Sequence, residues 1–158
     1  MNFEIAVQAL CDAEVEFVVI GGWSAVLHGS RHAINVFEIF FSRRADNLTR
    51  LAGALARYHP RLRGSEPGLP FVLDEAALRN DSILMLTTDL GYIDLLAEVA
   101  GLGSFEQVAE DAIQVEAFGR TVRTLDLESL IKSKKAAGRE KDLAALPELE
   151  SLRETDEL

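Results

Sequence analysis

The pattern of apolar and polar residues is most regular in two runs near the start of the chain. The run at 17–20 predicts a short buried strand, and a second run at 36–41 predicts another. Gly21 and Gly22 follow the first strand directly, and residues 23–27 then have helical apolar spacing. Glycines at such a turn leave backbone N–H groups open to close approach by an anion. We therefore predict a strand–turn–helix–strand unit that organises the rest of the chain.

Further elements follow from hydrophobic periodicity and from cap and turn signals. Strands are predicted at 16–20, 35–41, 82–87, 92–99, 113–117 and 121–124, with a short candidate at 71–73. Helices are predicted at 3–14, 22–29, 47–57, 74–79, 105–111, 127–137 and 140–152, with caps at Asp46 or Asn47, Ser104 and Asp126. The segment 59–70 contains three of the four prolines and is predicted to be a loop.

The first unit contains a recognisable motif. Its matching residues are Gly21, Gly22, Ser24, His28, Gly29 and Ser30. In this spacing the chain resembles the nucleotidyltransferase superfamily with the DNA polymerase β-like fold, and in particular its small bacterial members of the minimal and AbiE-toxin kind. The motif of that family continues with Arg, Thr and an Asp-x-Asp pair. This chain has His32, Ile34, Val36 and Glu38 at those four positions.

A second match lies near the end of the chain. Lys134, Gly138, Arg139, Lys141 and Asp142 match the family's terminal signature Leu-Ile-x-x-Lys-x-x-x-Gly-Arg-x-Lys-Asp. The resemblance implies an α/β (α+β) fold, a two-layer nucleotidyltransferase core with a mixed β-sheet, packed helices and a C-terminal helical segment. We expect a single domain over 1–158, with the core at about 1–125 and the helical segment at about 126–152.

The resemblance also implies which acids would carry chemistry. The family transfers a nucleoside monophosphate from a triphosphate, and two metal ions held by several carboxylates stabilise the reacting oxygens. Glu38 stands at the second Asp of the pair and Asp94 at the position of a third carboxylate, so both are the predicted catalytic and metal-binding residues. Val36 cannot ligate a metal, so Mg²⁺ binding is expected to be weak or absent. The alternative for Glu38 is a charge on an edge strand that faces solvent.

Five residues are candidates for binding phosphate. They are Gly21, Gly22, Ser24, Lys134 and Arg139. The first three lie at the turn after the predicted first strand, and the last two lie in a basic cluster with Lys132, Lys135 and Lys141. The alternatives are a tight turn that needs glycine for its backbone alone, and a solvated helix face.

Charge and composition narrow the functional classes. The net charge of −10 makes general binding to a nucleic-acid backbone unexpected, because such proteins usually present a basic face. A nucleoside triphosphate or another small anion is the expected ligand. The chain lacks an apolar run of the ~20 residues that span a bilayer, so no membrane association is expected. The single cysteine, Cys11, excludes an internal disulfide, and a cytoplasmic location is expected.

Three functional hypotheses remain open at this point. The first is a nucleotidyltransferase-fold protein whose transfer activity is impaired or lost because Val36 and Glu38 replace the Asp-x-Asp pair. The second is an active nucleotidyltransferase toxin that uses Glu38 and Asp94. The third is a non-catalytic subunit of a toxin–antitoxin pair or of a homodimer. Whether the protein is an enzyme is left open by these residues.

Overall fold

A computed structural model describes residues 1–66 and 68–156, apart from the side chain of residue 156. Its strands are β1 (Phe17–Ile20), β2 (Val36–Phe41), β3 (Arg61–Leu62), β4 (Ile83–Thr88), β5 (Gly91–Leu96), β6 (Ile113–Ala117) and β7 (Arg120–Thr124). Its α-helices are α1 (Phe3–Asp12), α2 (Gly21–Leu27), α3 (Ala45–Leu55), α4 (Glu75–Asn80), α5 (Phe105–Asp111), α6 (Leu127–Ala137) and α7 (Glu140–Asp156). A 3₁₀ turn at Ala56–Tyr58 follows α3.

The strands form one seven-stranded sheet in the order β3-β4-β5-β2-β1-β7-β6. The pairs β2–β5 and β1–β7 are parallel, whereas the other neighbouring pairs are antiparallel. The mixed sheet with packed helices confirms the predicted α/β fold class. Strands β1, β2 and β5 lie inside the sheet, so residues on them are held from both sides.

Both faces of the central strands are covered by hydrophobic side chains. Phe37 and Ile39 of β2 belong to a cluster that includes residues of α1, α3 and α4. Phe40 of the same strand belongs to a second cluster, with Val18 of β1 and residues of α5, α6 and α7. Successive side chains of a strand point to opposite faces, so the two clusters lie on opposite sides of the sheet. Burial on both sides explains why β1 and β2 have apolar runs rather than alternation.

Several helix signals in the sequence are confirmed at the residue level. Ser104 and Gln107 form a reciprocal capping box at the start of α5, and the Asp126 side chain accepts a hydrogen bond from the Ser129 backbone N–H at the start of α6. Helix α6 ends at Gly138, which has a φ of 65°. Within the described residues, none of the helices combines the length and the apolar character needed to cross a bilayer.

Several predictions about elements are wrong in detail. Residues 71–73 do not form a strand, and the predicted loop 59–70 contains the two-residue strand β3. Pro67 of that loop lies outside the described residues. Strand β5 ends at Leu96 instead of 99, and α3 begins at Ala45 instead of 47. The Asn47 side chain does not cap α3. It accepts a hydrogen bond from the Glu16 N–H at 2.7 Å and donates to the Ser42 carbonyl at 2.8 Å, so it links the segments that flank β1 and β2.

Candidate functional site

A cavity of about 270 Å³ lies between the sheet and the C-terminal helices. Its floor is formed by side chains of β1, β2, β4 and β5 on the face that carries the second cluster, and its wall by α6 and the start of α7. The lining residues include Ile20, Gly21, Glu38, Met85, Asp94, Glu98, Ser133, Lys134, Arg139 and Asp142. Glu38, Asp94, Gly21, Lys134 and Arg139 were all predicted as site residues, and the fold brings these five to one cavity.

Glu38 and Asp94 are direct partners on the parallel strands β2 and β5. Partners in this register point to the same face of the sheet, and both side chains line the cavity. Burial raises the pKa of Glu38 above its ordinary value, and the charge of Asp94 raises it further. The cationic Lys134 and Lys141 and a hydrogen bond from the Gly22 backbone oppose this rise without cancelling it. Glu38 is therefore a carboxyl group that holds its proton more tightly than an exposed glutamate.

The turn after β1 is shaped around the Glu38 carboxyl group. Gly21 has a φ of 65°, and a Cβ atom there would lie 2.6 Å from Glu38 Cδ and 2.9 Å from Oε2. At Gly22 a Cβ atom would lie 2.7 Å from Cγ2 of Ile34. A side chain at either position would force its neighbour to move, and at Gly21 the positive φ also favours glycine. The same absence of side chains leaves the Gly21 backbone at the cavity surface.

The Ser24 side chain points away from the cavity. It is fully buried, and its Oγ lies 2.6 Å from Oγ1 of Thr124. Thr124 Oγ1 in turn donates to the Val19 carbonyl at 3.2 Å, which leaves Ser24 as the donor of the first bond. Its hydroxyl thus joins α2 to β7. The Ser24 side chain therefore does not line the cavity, and the predicted contact of Ser24 with phosphate stays a prediction.

Lys134 and Arg139 are held at the cavity by Asp142. The Asp142 side chain is only 1% exposed, and Arg139 Nε lies 2.7 Å from its Oδ2 while Lys134 Nζ lies 3.4 Å from its Oδ1. Burial by itself would raise the pKa of Asp142, but the hydrogen bonds from Arg139 and the charge of Lys134 outweigh this, and the pKa is lowered. Asp142 is therefore an anionic anchor for two cations. The sequence signal for it was the Gly-Arg-x-Lys-Asp spacing at 138–142.

Arg63 is a residue of this region that the sequence did not indicate. Its Nη2 lies 2.7 Å from Asp94 Oδ1 and 2.9 Å from the Leu86 carbonyl oxygen. Its guanidinium carbon lies 4.5 Å from the centre of the Tyr92 ring. The Nε atom is buried and has no hydrogen-bond partner among the described residues. No motif marks Arg63, because it belongs to the segment that was predicted to be a loop.

The acids present do not fit the two-metal arrangement that the resemblance implies. Val36 shares the face of Glu38, since the two are i and i+2 on β2, and it offers no ligand atom. Asp94 Oδ1 is already bound by Arg63. In the described part of the chain, His, Cys, Asp and Glu side chains do not gather in groups of three or more that could hold a metal ion. The donor set is thus one carboxylate short at the position of Val36.

Comparison with solved structures identifies the fold. The protein is similar to the crystal structure of a candidate nucleotidyltransferase from Thermotoga maritima, with a TM-score of 0.58 and 15% sequence identity. The match covers 92% of this chain and 87% of that chain. Neither a protein-family model nor a curated protein matches the sequence. At this identity the similarity concerns the fold, and the chain has a nucleotidyltransferase-like α/β architecture.

Proposed function

We propose that this protein binds a nucleoside triphosphate, or a polyanion of similar charge, in the cavity above Glu38 and Asp94, with little or no metal-dependent nucleotidyl transfer. The observation that carries the proposal is the composition of the cavity: it keeps the glycine turn and the cations Lys134 and Arg139, but Val36 replaces a metal-binding acid. Nucleotide binding and nucleotidyl transfer thus require different groups in this cavity. Binding needs cations and an open turn, whereas transfer also needs the missing carboxylate.

The charges around the cavity support binding of an anion without a metal. Asp142 is bonded to Lys134 and Arg139, and Asp94 is bonded to Arg63. An ammonium group has three donors and a guanidinium five, so Lys134 and Arg139, which line the cavity, keep donors for phosphate oxygens after those bonds are made. The charges of Lys134 and Lys141 act on Glu38 and offset part of the repulsion that its carboxylate would exert on phosphate. Of the four acids that line the cavity, Asp94 and Asp142 are thus paired with cations, while Glu38 and Glu98 form no ion pair with a described residue.

A thermal-shift experiment tests the proposal. The melting temperature of the purified protein would be measured with ATP, CTP, GTP and UTP, each in EDTA and each in Mg²⁺. A ligand that binds only the native state raises stability by RT ln(1 + [L]/Kd), so a nucleotide at about 100 times its Kd stabilises by about 2.7 kcal/mol. We expect at least one nucleotide to raise the melting temperature to the same extent in both buffers. No rise with any nucleotide in either buffer would contradict the proposal.

A second function, residual nucleotidyl transfer, is favoured by one observation. Glu38 and Asp94 are opposite each other in the strand register and line the same cavity, which is where the second and third acids of the family motif are expected. Incubation with radiolabelled nucleoside triphosphates and cell RNA or protein would test for labelled product. Label transfer that is lost in both Glu38→Gln and Asp94→Asn would favour this function over binding alone.

A further inference from the structure

Arg63 makes three contacts with neighbouring strands of the sheet. Its Nη2 bonds to Asp94 Oδ1 and to the Leu86 carbonyl, and its guanidinium stacks over Tyr92. The side chain is 24% exposed, and that of Asp94 is 15% exposed. These contacts come from different chemical groups, namely a carboxylate, a backbone carbonyl and an aromatic face. A long surface arginine rarely has all three, so the position of this guanidinium is defined by its surroundings.

The backbone places Arg63 in line with the two acids. Its N–H donates to the Met85 carbonyl at 2.9 Å, which continues the β3–β4 pairing by one residue. Met85 is the partner of Asp94 in the β4–β5 register, and Asp94 is the partner of Glu38 in the β5–β2 register. Arg63, Met85, Asp94 and Glu38 therefore lie along one row that crosses four neighbouring chain segments. A cation at the end of this row faces the acids across the sheet surface.

Two neighbouring carboxylates require a compensating positive charge. Like charges this close disfavour each other's ionisation, and the charge of Asp94 is one cause of the raised pKa of Glu38. In the fold family that the chain resembles, divalent ions supply the compensation. The donor set here is incomplete for them, whereas a guanidinium already sits on Asp94. A guanidinium cannot be deprotonated in a protein and forms charge-assisted hydrogen bonds to carboxylates, so its charge is permanent.

We infer that Arg63 is a built-in cation at Asp94, which balances part of the charge that a divalent metal would otherwise balance on the Glu38–Asp94 pair and makes ligand binding by this cavity independent of metal. The inference rests on the proposed function as far as the ligand is concerned. The charge balance itself is a property of the protein alone. Arg63 acts through Asp94 and is a positioning residue, because it does not line the cavity.

Removal of Arg63 should leave Asp94 without its ion-pair partner and make the site responsive to metal, while Lys134 and Lys141 still act on Glu38. The probe is Mn²⁺ alone, because its binding is followed by the electron paramagnetic resonance signal of the free ion and needs no nucleotide. The variants are Arg63→Gln, which keeps much of the size without charge, and Arg63→Lys, which keeps the charge. Arg61→Gln is the matched control, since Arg61 is exposed and lies on β3, two positions before Arg63.

We expect Mn²⁺ to bind Arg63→Gln at least about tenfold more tightly than the wild type, because a like-charged neighbour of the metal has been removed. Arg63→Lys and Arg61→Gln should resemble the wild type. Equal Mn²⁺ affinity in Arg63→Gln and in the wild type would overturn the inference, and so would tight Mn²⁺ binding by the wild type. Circular dichroism spectra of each variant show whether it is folded. If Arg63→Gln unfolds, Arg63→Met replaces it, because methionine keeps an apolar stem over Tyr92 without charge, and the same gain in Mn²⁺ binding is expected.

The same variants separate this inference from the proposed function. A wild type that binds no nucleotide, together with an Arg63→Gln variant that gains Mn²⁺ binding, would refute the nucleotide proposal and support the built-in cation. The opposite result is a wild type that binds ATP equally in EDTA and Mg²⁺, together with an Arg63→Gln variant that gains no Mn²⁺ binding. It would support the nucleotide proposal and refute the built-in cation.

Discussion

Glu38 and Asp94 are direct partners on the parallel strands β2 and β5, and both side chains line one cavity. They are 56 positions apart in the chain, with β3, α3, α4 and β4 between them. The pairing follows from the sheet order, in which β5 lies between β4 and β2. Because the two acids are close, what happens to one changes the charge state of the other.

The first prediction concerns pH and Glu38. Burial and Asp94 raise the pKa of Glu38 from an ordinary value of 4.5, whereas Lys134, Lys141 and the Gly22 backbone lower it less. Between that value and the raised one, the folded protein binds more protons at this site than the unfolded chain does. The contribution of Glu38 to stability therefore falls as pH rises through this window and stays low above it.

Glu38→Gln removes this titration. We expect the variant to be more stable than the wild type at pH 8, and the difference to shrink toward zero as pH falls to about 4.5. Urea unfolding of both proteins at a series of pH values provides the measurement. A stability difference that does not change with pH would show that Glu38 has the same pKa in the folded and unfolded states.

The second prediction concerns the turn at Gly21. Gly21→Ala forces a residue with a side chain to a φ of 65° and brings its Cβ against the Glu38 carboxyl group. We expect a loss of about 1–3 kcal/mol in the free energy of unfolding, measured with urea at pH 7. Gly53→Ala is the control, because Gly53 is an exposed residue of α3 whose Cβ would meet nothing within 4 Å. There the helix propensity of alanine predicts a gain of up to about 1 kcal/mol. Equal effects at the two positions would argue against a special turn.

The third prediction concerns the cations of the cavity. Lys134→Ala and Arg139→Ala should each weaken nucleotide binding about tenfold or more, which corresponds to about 1.4 kcal/mol, and the loss should be smaller at high salt. Lys135→Ala is the control. Lys135 is on the same helix as Lys134, but it pairs with Glu150 and does not line the cavity. Calorimetric titrations at low and high salt would measure the affinities. Unchanged affinity in both cavity variants would indicate a solvated helix face instead of a phosphate site.

The fourth prediction concerns Val36. Val36→Asp places a carboxylate beside Glu38 on the same face of β2, so it should destabilise the metal-free protein by about 1–3 kcal/mol through lost apolar burial and like-charge repulsion. Mn²⁺ or Mg²⁺ should restore part of this loss, because a metal that binds only the native state raises stability. Val36→Asn is the control, since asparagine has nearly the same shape as aspartate but carries no charge. The melting temperatures of both variants would be measured across a metal titration. An equal rise in the two variants would show that position 36 does not contribute a metal ligand.

The sequence predicted those elements whose structure depends on residues near them in the chain. The apolar runs of β1 and β2, the caps of α5 and α6, and the two acids inside strands all lie where local patterns placed them. The prediction that Asn47 caps α3 is wrong because the same side-chain amide can cap a helix or form a tertiary hydrogen bond. Its partners Glu16 and Ser42 are brought beside it only by the fold. The hydrogen bond of Ser24 could not be predicted, because its partner Thr124 is 100 residues away.

Arg63 shows the limit of sequence reasoning most clearly. Strand β3 has two residues, too few to display any period, and it lies among prolines and glycines that predict a loop. The pairing of Arg63 with Asp94 depends on the β3–β4–β5 register, which is set by a hairpin and a short edge strand rather than by any local signal. A charge that balances an acid from another strand is a tertiary property, and no pattern around residue 63 encodes it.

The most direct test of the central claim is a calorimetric titration of the wild-type protein with the nucleoside triphosphate that gives the largest thermal shift, carried out once in EDTA and once in Mg²⁺. We expect binding with one site per chain and a Kd that differs by less than about threefold between the two buffers, because we propose that Lys134 and Arg139 supply the contacts and that Arg63 balances Asp94. Binding that appears only in Mg²⁺ would contradict it, because the metal would then be an essential part of the site.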